Sequence, residues 1–259
     1  LEIVCRPLRA NPPPPPASQP PATYASAVSF SAYSHWLIPG HLMAGRYPFV
    51  EPARCKSRDA GEAQMEAILG AGITRFVCLQ AELPPQELLP VGGKDGFLPY
   101  RPTATLIAAS LSGPPSLEVM DGLRNPHLDA FLPPRRKADR HANDAVHVAA
   151  AAERRRVEVS FAHCPIPDLG VPSLDAAEAV VTDVCARLAA GDRVYIHCWG
   201  GRGRAGTVGA CVLARLYGLS ADDALARVDA ALQTREPGGK SPEKEEQREL
   251  VRAFVARGV

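Results

Sequence analysis

The residues with the clearest chemistry run from Val194 to Thr207: Val194-Tyr195-Ile196-His197-Cys198-Trp199-Gly200-Gly201-Arg202-Gly203-Arg204-Ala205-Gly206-Thr207. A β-rich apolar run enters a glycine-rich loop, and the loop enters an apolar helical stretch. That order aims several backbone N–H groups and a helix N-terminus at one small volume, which makes an anion site. Gly200, Gly201 and Gly203 let the backbone curl round a phosphate without side-chain clashes. Cys198 opens the loop. A cysteine set among N–H dipoles and near an arginine is expected as the thiolate at neutral pH. Arg204 closes the loop, and its planar guanidinium can bind two phosphate oxygens at once.

A cysteine followed six residues later by an arginine is a weak signal alone. The chain supplies its own control. His163-Cys164 is another His-Cys pair at the end of a strand-like run, but Gly170 stands where the arginine would be and no glycine loop follows. The bland alternative for Cys198 is a buried cysteine at a strand end before a glycine turn. Three glycines, an arginine and a strand-to-helix setting together favour a phosphate site.

Other elements must hold this loop. Trp36-Leu37-Ile38-Pro39-Gly40 and Gly45-Arg46-Tyr47-Pro48 alternate apolar residues with turn formers. Residues 61–70 place Met65, Ile68 and Leu69 at helical spacing, closed by Gly70 and Gly72. Ile73 to Gln80 reads as a buried strand, and Val157 to Cys164 as another that ends at Pro165-Ile166-Pro167-Asp168. Ser173 can cap a helix with the stripe Leu174, Ala177, Val181, Val184 and Leu188, stopped by Gly191. Arg193 to His197 is a strand and Val208 to Tyr217 an apolar helix. Ser220 with Asp223 starts a helix carrying Leu225, Val228 and Leu232. Ser241-Pro242 is expected to open a last helix with Leu250, Val251, Phe254 and Val255 on its buried face. Strands alternating with helices imply an α/β fold with a mainly parallel sheet.

Proline marks the organisation. Pro12 to Pro16 are consecutive, with Pro20 and Pro21 following, so residues 1–30 read as a proline-rich arm in polyproline II. Residues 31–259 read as one domain with an insertion at about 83–147. That insertion, punctuated by Pro84, Pro85, Pro114, Pro115, Pro133 and Pro134, is expected to be mostly irregular. Its cluster of Arg135, Arg136, Lys137 and Arg140 reads as a solvated surface.

The segment 157–218 resembles the cysteine-dependent protein tyrosine phosphatases, with their H-C-x5-R signature, and within them the compact dual-specificity branch. The resemblance extends to 36–82 and 241–256. It implies a central, mainly parallel sheet of four or five strands flanked by helices, no metal or other cofactor, and a two-step reaction through a phosphocysteine. By position, Cys198 matches the nucleophile, Arg204 the phosphate-binding arginine and His197 the histidine that tunes the thiolate. Trp199, Gly200, Gly201, Arg202 and Gly203 complete the phosphate-binding loop. The family also uses a general acid from a separate loop. Pro167-Asp168-Leu169-Gly170-Val171-Pro172-Ser173 resembles that loop, which makes Asp168 the acid, with Asp175 the runner-up. A departing alkoxide or phenoxide needs a proton, and the same carboxylate can then take one from water. Ser241-Pro242-Glu243 and Gln247 resemble the segment that supplies a water-positioning glutamine in some relatives.

Two departures stand out. Ala205 replaces the Ser or Thr that most relatives carry, whose hydroxyl supports the thiolate as it leaves, so a slow second step is expected. Arg202 adds a cation, as a lysine does in relatives acting on phosphoinositides, and hints at a highly anionic substrate; Trp199 does not match those relatives. The loop is also similar to that of glucan phosphatases, but no carbohydrate-binding module is apparent.

Composition agrees with such an enzyme. The chain has 259 residues, 46% hydrophobic and 22% charged, which is ordinary globular material. A net charge of +1 gives no broad field for nucleic acid. No apolar run approaches the roughly 20 residues that cross a bilayer. Seven cysteines without regular spacing favour a reducing, intracellular compartment: the cytoplasm, or an organelle matrix if a transit peptide has been removed. The expected partner is a phosphorylated protein substrate, ahead of a phosphoinositide or phosphoglucan. The rival reading is a catalytically weak scaffold or structural subunit of the same fold that docks a protein partner through the proline-rich arm.

Overall fold

The computed structural model describes residues 26–111 and 158–258. A five-stranded sheet is built from β1 (Ser34–Ile38), β2 (Leu42–Gly45), β3 (Arg75–Gln80), β4 (Ser160–Ile166) and β5 (Val194–His197), in the order β1-β2-β5-β3-β4. β1 and β2 form an antiparallel hairpin; every other neighbouring pair is parallel. The helices are α1 (Arg58–Gly70), α2 (Arg101–Leu111), α3 (Leu174–Ala189), α4 (Gly203–Tyr217), α5 (Ala221–Gln233) and α6 (Glu245–Ala256). The α/β class and the mainly parallel sheet are as expected.

Strand alternation divides the core into two layers. Phe76 and Tyr195 face one side, where they meet Met65, Ile68, Tyr47 and Tyr100. Val77, Leu79, Val194 and Ile196 belong to the other, with α3, α4 and α5 supplying Val181, Val184, Val212 and Val228. α4 is buried along nearly its whole length, from Gly203 to Ala214. A Cβ at Gly209 would stand 2.3 Å from Leu37 Cδ1, so glycine lets this helix lie close against β1.

Side-chain oxygens cap the helices as their sequences indicate. Ser173 Oγ accepts from the Ala176 N–H, and Ser220 Oγ from the Asp223 N–H. Ser57 caps α1 in the same way, so that helix starts at Arg58.

Two expectations need correction. β4 runs to Ile166, past Pro165, whereas Val157 to Cys164 was the expected strand. β4 is an edge strand, where a missing N–H leaves no ladder partner unsatisfied. The last helix begins at Glu245 with Lys244 as its N-cap, and Ser241-Pro242 belongs to the preceding turn. The described part of the segment from 83 onward is irregular over 83–100 and then helical over Arg101–Leu111. Leu83, Phe97 and Tyr100 are nevertheless buried in the layer under α1, so apolar anchors spaced between the prolines tie the segment to the core. The rest of the insertion, its basic cluster and most of the proline arm lie outside the described residues. Among the described residues no helix is long and apolar enough to cross a membrane.

Candidate active site

Cys198 leaves the end of β5 and Arg204 lies in the first turn of α4, so the loop joins strand to helix at the C-terminal edge of the parallel sheet. Gly201 has φ +70°, and a Cβ there would stand 2.2 Å from the Gly45 carbonyl carbon. Only glycine permits both the left-handed turn and this contact with β2. The Gly201 N–H lies 3.2 Å from Cys198 Sγ and donates to it. A cavity of about 290 Å³ opens over the loop, lined by Cys198, Trp199, Gly200, Arg202, Gly203, Arg204 and, from the β4–α3 connection, Asp168.

Asp168 reaches this cavity from a tight turn. The Gly170 N–H donates to the Pro167 carbonyl at 3.0 Å, which puts Asp168 and Leu169 at the corners. Leu169 takes φ +59°, a left-handed conformation that a leucine adopts only under constraint. Asp175 is elsewhere, in the first turn of α3, where it pairs with Arg257 at 2.7 Å.

Arg204 is buried, and both of its Nη atoms are engaged. Its Nη1 donates to Glu82 Oε2 at 2.7 Å and to the Ile166 carbonyl at 3.1 Å. Its Nη2 donates to Glu82 Oε1 at 3.0 Å and to Asp168 Oδ1 at 2.8 Å. Partial burial pushes the Glu82 carboxyl up, but the hydrogen bonds and charge of Arg204, with hydrogen bonds from its own backbone and from Gln80, together hold it below its usual value. Burial likewise opposes the charge of Arg204, and Glu82 more than restores it. Glu82 therefore holds the guanidinium fork in one plane under the loop.

Arg202 behaves differently from expectation. Its side chain bridges Glu236 at 3.0 Å and Glu243 at 2.8 Å. Two carboxylates compensate it, so the hint of a highly anionic substrate loses its cation here.

The loop is clamped from below by a residue no motif reveals. Arg235, just beyond α5, donates to the Gly200 carbonyl from both Nη1 and Nη2 at 3.2 Å, and to the Gly201 carbonyl at 3.1 Å. In a trans peptide the carbonyl and the next N–H point opposite ways. Pinning these two carbonyls to Arg235 turns the N–H groups of Gly201 and Arg202 toward the other side, where the sulfur lies. Burial pushes Arg235 down to about 10, which still leaves it cationic at neutral pH.

His197 is fully buried, with Nε2 2.8 Å from the Tyr100 hydroxyl. Burial drives its pKa down to about 3, so it is neutral near pH 7 and brings no cation beside Cys198. Tyr100 comes from the segment read as an insertion. Trp199 turns its indole N–H to Glu51 Oε2 at 2.8 Å and its ring edge to Phe97, at 5.5 Å between centroids. Gln247 is buried where an exposed helix residue was the bland alternative. Its Nε2 donates to the Gly170 carbonyl at 3.1 Å, and its Oε1 accepts from the Lys244 N–H at 3.2 Å. Thr207 cannot supply the hydroxyl that Ala205 lacks, because its Oγ1 donates to the Gly203 carbonyl at 2.9 Å.

Residues 144–250 match the family described as "PTP-SAK: Swiss Army Knife protein, DSP-PTPase phosphatase domain". This stretch is thus similar to dual-specificity-type phosphatase domains. It carries the cysteine loop, Asp168 and Gln247. Solved phosphatase structures are similar over most of the chain at low identity. One is "Crystal structure of Tk-PTP in the active form", with 22% identity, 87% of this chain and 97% of that chain covered, and a TM-score of 0.45. Another is "Crystal Structure of PTPMT1 in complex with PI(5)P", with 14% identity, coverage of 88% and 99%, and a TM-score of 0.43. A third is the human tyrosine phosphatase-like serine/threonine/tyrosine-interacting protein, with 11% identity, coverage of 88% and 97%, and a TM-score of 0.45.

Proposed function

We propose that this chain is a phosphomonoesterase that works through a phosphocysteine on Cys198, with phosphotyrosine, alone or beside phosphoserine and phosphothreonine, as the substrate class. The observation that carries this reading is the meeting of Cys198, Arg204 and Asp168 in one cavity, with the Gly201 N–H donating to the sulfur.

The chemistry follows from those positions. The Cys198 thiolate attacks phosphorus; the S–P bond forms as the P–O bond to the leaving group breaks. Asp168, as the carboxylic acid, gives its proton to the leaving oxygen. Loop N–H groups and Arg204 hold the three equatorial oxygens, where charge builds in the transition state. In the second step water attacks phosphorus and gives a proton to Asp168. The S–P bond breaks, and the products are inorganic phosphate and the thiolate. Gln247 packs against Gly203, where a Cβ would come within 2.8 Å of its Nε2, and against the acid loop. That position supports a role in orienting the attacking water.

Glu82 and Arg235 are positioning residues in this account, one fixing the guanidinium and the other the peptide planes. His197 acts as a buried neutral partner of Tyr100 rather than as a charge. One observation favours the scaffold reading, the absence of a hydroxyl at Ala205. Phosphate release from a simple aryl phosphate by the purified chain separates the two: release lost in Cys198→Ser supports the enzyme, and no release from the unaltered chain supports the scaffold.

A further inference from the structure

We propose that Glu51 is a positioning residue for phosphoryl transfer: its carboxylate grips the indole of Trp199 and so fixes the wall of the Cys198 cavity that meets the substrate's leaving group. The inference rests on the phosphomonoesterase reading and deepens it, by naming the residue that sets how an aryl group is held once its phosphate is in the loop.

Glu51 lies on the connection between β2 and α1 and is only 2% exposed. A buried carboxylate is costly unless hydrogen bonds replace its water. N–H groups do so here. Oε1 accepts from the N–H groups of Arg54 at 2.5 Å and Cys55 at 3.1 Å. Oε2 accepts from the Ala53 N–H and from the Trp199 indole N–H, both at 2.8 Å. Burial pushes the Glu51 carboxyl up, but these donors together hold it below its usual value, so it is a carboxylate at neutral pH. Three of the donors belong to the turn that Glu51 itself begins, which its own N–H closes by donating to the Cys55 carbonyl at 2.8 Å. The fourth comes from across the fold, from the residue next to the nucleophile.

Ala53, Arg54 and Trp199 line the cavity together with Cys198 and Asp168. One carboxylate therefore fixes three lining residues relative to one another. Trp199 has few other restraints on its ring, which is 36% exposed and meets Phe97 edge-on at 5.5 Å. Its main chain is held separately. The Tyr47 N–H donates to the Trp199 carbonyl at 3.1 Å, and Arg235 takes the next two carbonyls. The loop N–H groups that grip phosphate thus keep their orientation without Glu51. What Glu51 controls is the side chain: tethered by its N–H, the indole stands as a wall, and released it is free to change rotamer. In-line attack by Cys198 sends the leaving group away from the loop, along that wall. An aryl group gains from an aromatic neighbour there, and a bare oxyanion does not.

The test is equilibrium binding of inorganic phosphate and of phenyl phosphate to the full chain carrying Cys198→Ser. The phosphate constant reads the loop, and the ratio of the two constants reads the wall. Adding Glu51→Gln keeps the shape but turns an amide NH₂ toward N–H donors. It should weaken phenyl phosphate about three- to tenfold, the range for one aromatic contact, with little change for inorganic phosphate. Trp199→Phe, which lacks the indole N–H, should also lower the ratio, and in that background Glu51→Gln should lower it no further. This cycle separates the indole from a second route. Burial and then the Arg54 charge lower the Arg46 guanidinium, and the Glu51 charge is among those that oppose them.

The proposal is overturned if Glu51→Gln leaves the ratio unchanged, if it weakens both ligands equally, or if it costs as much without the indole as with it. A second measurement needs no change at Glu51. The Trp199 indole N–H resonance, identified by its loss in Trp199→Phe, should exchange with solvent at least about tenfold more slowly than a free indole, as a charge-assisted hydrogen bond requires. Exchange at the free rate overturns the proposal even if Glu51→Gln does not fold. Failure of the phosphomonoesterase reading shows separately, as absence of phosphate release from the chain with Cys198 intact.

Discussion

Arg204 Nη2 donates to Asp168 Oδ1 at 2.8 Å, so the arginine that should grip phosphate also holds the carboxylate that should protonate the leaving group. Both Nη atoms of Arg204 already have two acceptors. The Nε–H makes none of these bonds, so a phosphate gripped by the Nε–Nη2 edge of the fork displaces an acceptor at Nη2. Asp168 is the replaceable partner: it is half-exposed on a turn, whereas Glu82 grips the fork with both oxygens and the Ile166 carbonyl is backbone. Substrate binding then releases Asp168 toward the leaving oxygen.

This exchange predicts opposite effects of one substitution. Asp168→Asn removes a competing anion, so vanadate or tungstate should bind about tenfold tighter, of the order of one charge-assisted hydrogen bond. The same variant should lose about a hundredfold in turnover with poor leaving groups and little with good ones. Oxyanion titration beside rates on alkyl and nitrophenyl phosphates checks both. Weaker oxyanion binding, or equal losses on both substrates, would remove Asp168 from this role.

Arg235→Ala should cost about 10² to 10³ in kcat/KM, the range for losing an oriented donor, because the Gly201 and Arg202 N–H groups lose their orientation. Arg235→Lys should recover part of the loss, since an ammonium can reach one carbonyl. Oxyanion affinity should fall in parallel. A residue serving stability alone would lower Tm and leave that affinity unchanged.

Ala205 leaves the departing thiolate without a hydroxyl donor, and Thr207 is committed to the Gly203 carbonyl. A hydrogen bond to a charged group contributes roughly 1.5–3 kcal/mol. Its absence should slow phosphocysteine hydrolysis by about tenfold to a hundredfold. Stopped-flow with a good leaving group should show a burst and then a slow steady rate. Ala205→Thr should raise the steady rate and shrink the burst. No burst in the unaltered chain, with a steady rate unmoved by the substitution, contradicts this.

Acid stability carries a signature of the buried histidines. Burial, with Arg235 adding to the effect at His35, lowers His35 and His197 from 6.5 to about 3. The unfolded chain takes up their protons below about pH 6.5, and the folded chain does so only near pH 3. Their contribution is complete above about pH 6.5 and is lost as pH falls toward 3. Each histidine should raise the unfolding equilibrium constant up to about tenfold per pH unit within that window. Glu82 and Glu51 have values held below 4.5, so they lose their contribution only at lower pH. Urea denaturation between pH 4.5 and 6.5 should show the slope, and a folded His35→Asn variant should have about half of it. An unchanged slope in that variant would assign the effect elsewhere.

The legible part of this site is the part packed into consecutive residues. A strand, three glycines and an arginine announce the loop because the anion-binding geometry is local. Asp168 is readable because it ends a strand in the right order. The residues that hold the loop rigid are not local. Arg235 acts from beyond α5 on backbone carbonyls, and carbonyls leave no trace in sequence. Glu82 and Glu51 look like ordinary surface acids until the fold puts Arg204 and Trp199 beside them. Tyr100 sits among prolines that suggest a loop, although its ring fills the core and its hydroxyl meets His197. The start of the last helix is misjudged for a similar reason, since Pro at a helix start and Pro in a turn read alike.

The central claim is that phosphate passes through the sulfur of Cys198. Acid quench within the burst, followed by proteolysis and mass analysis, tests it most directly. The Ala205 background should let the intermediate accumulate, so one phosphoryl group should appear on the peptide containing Cys198, with the label absent from Cys198→Ser. A turnover-competent chain with no label on that peptide, or a Cys198→Ser variant that keeps phosphate release within about tenfold of the unaltered chain, would contradict the account.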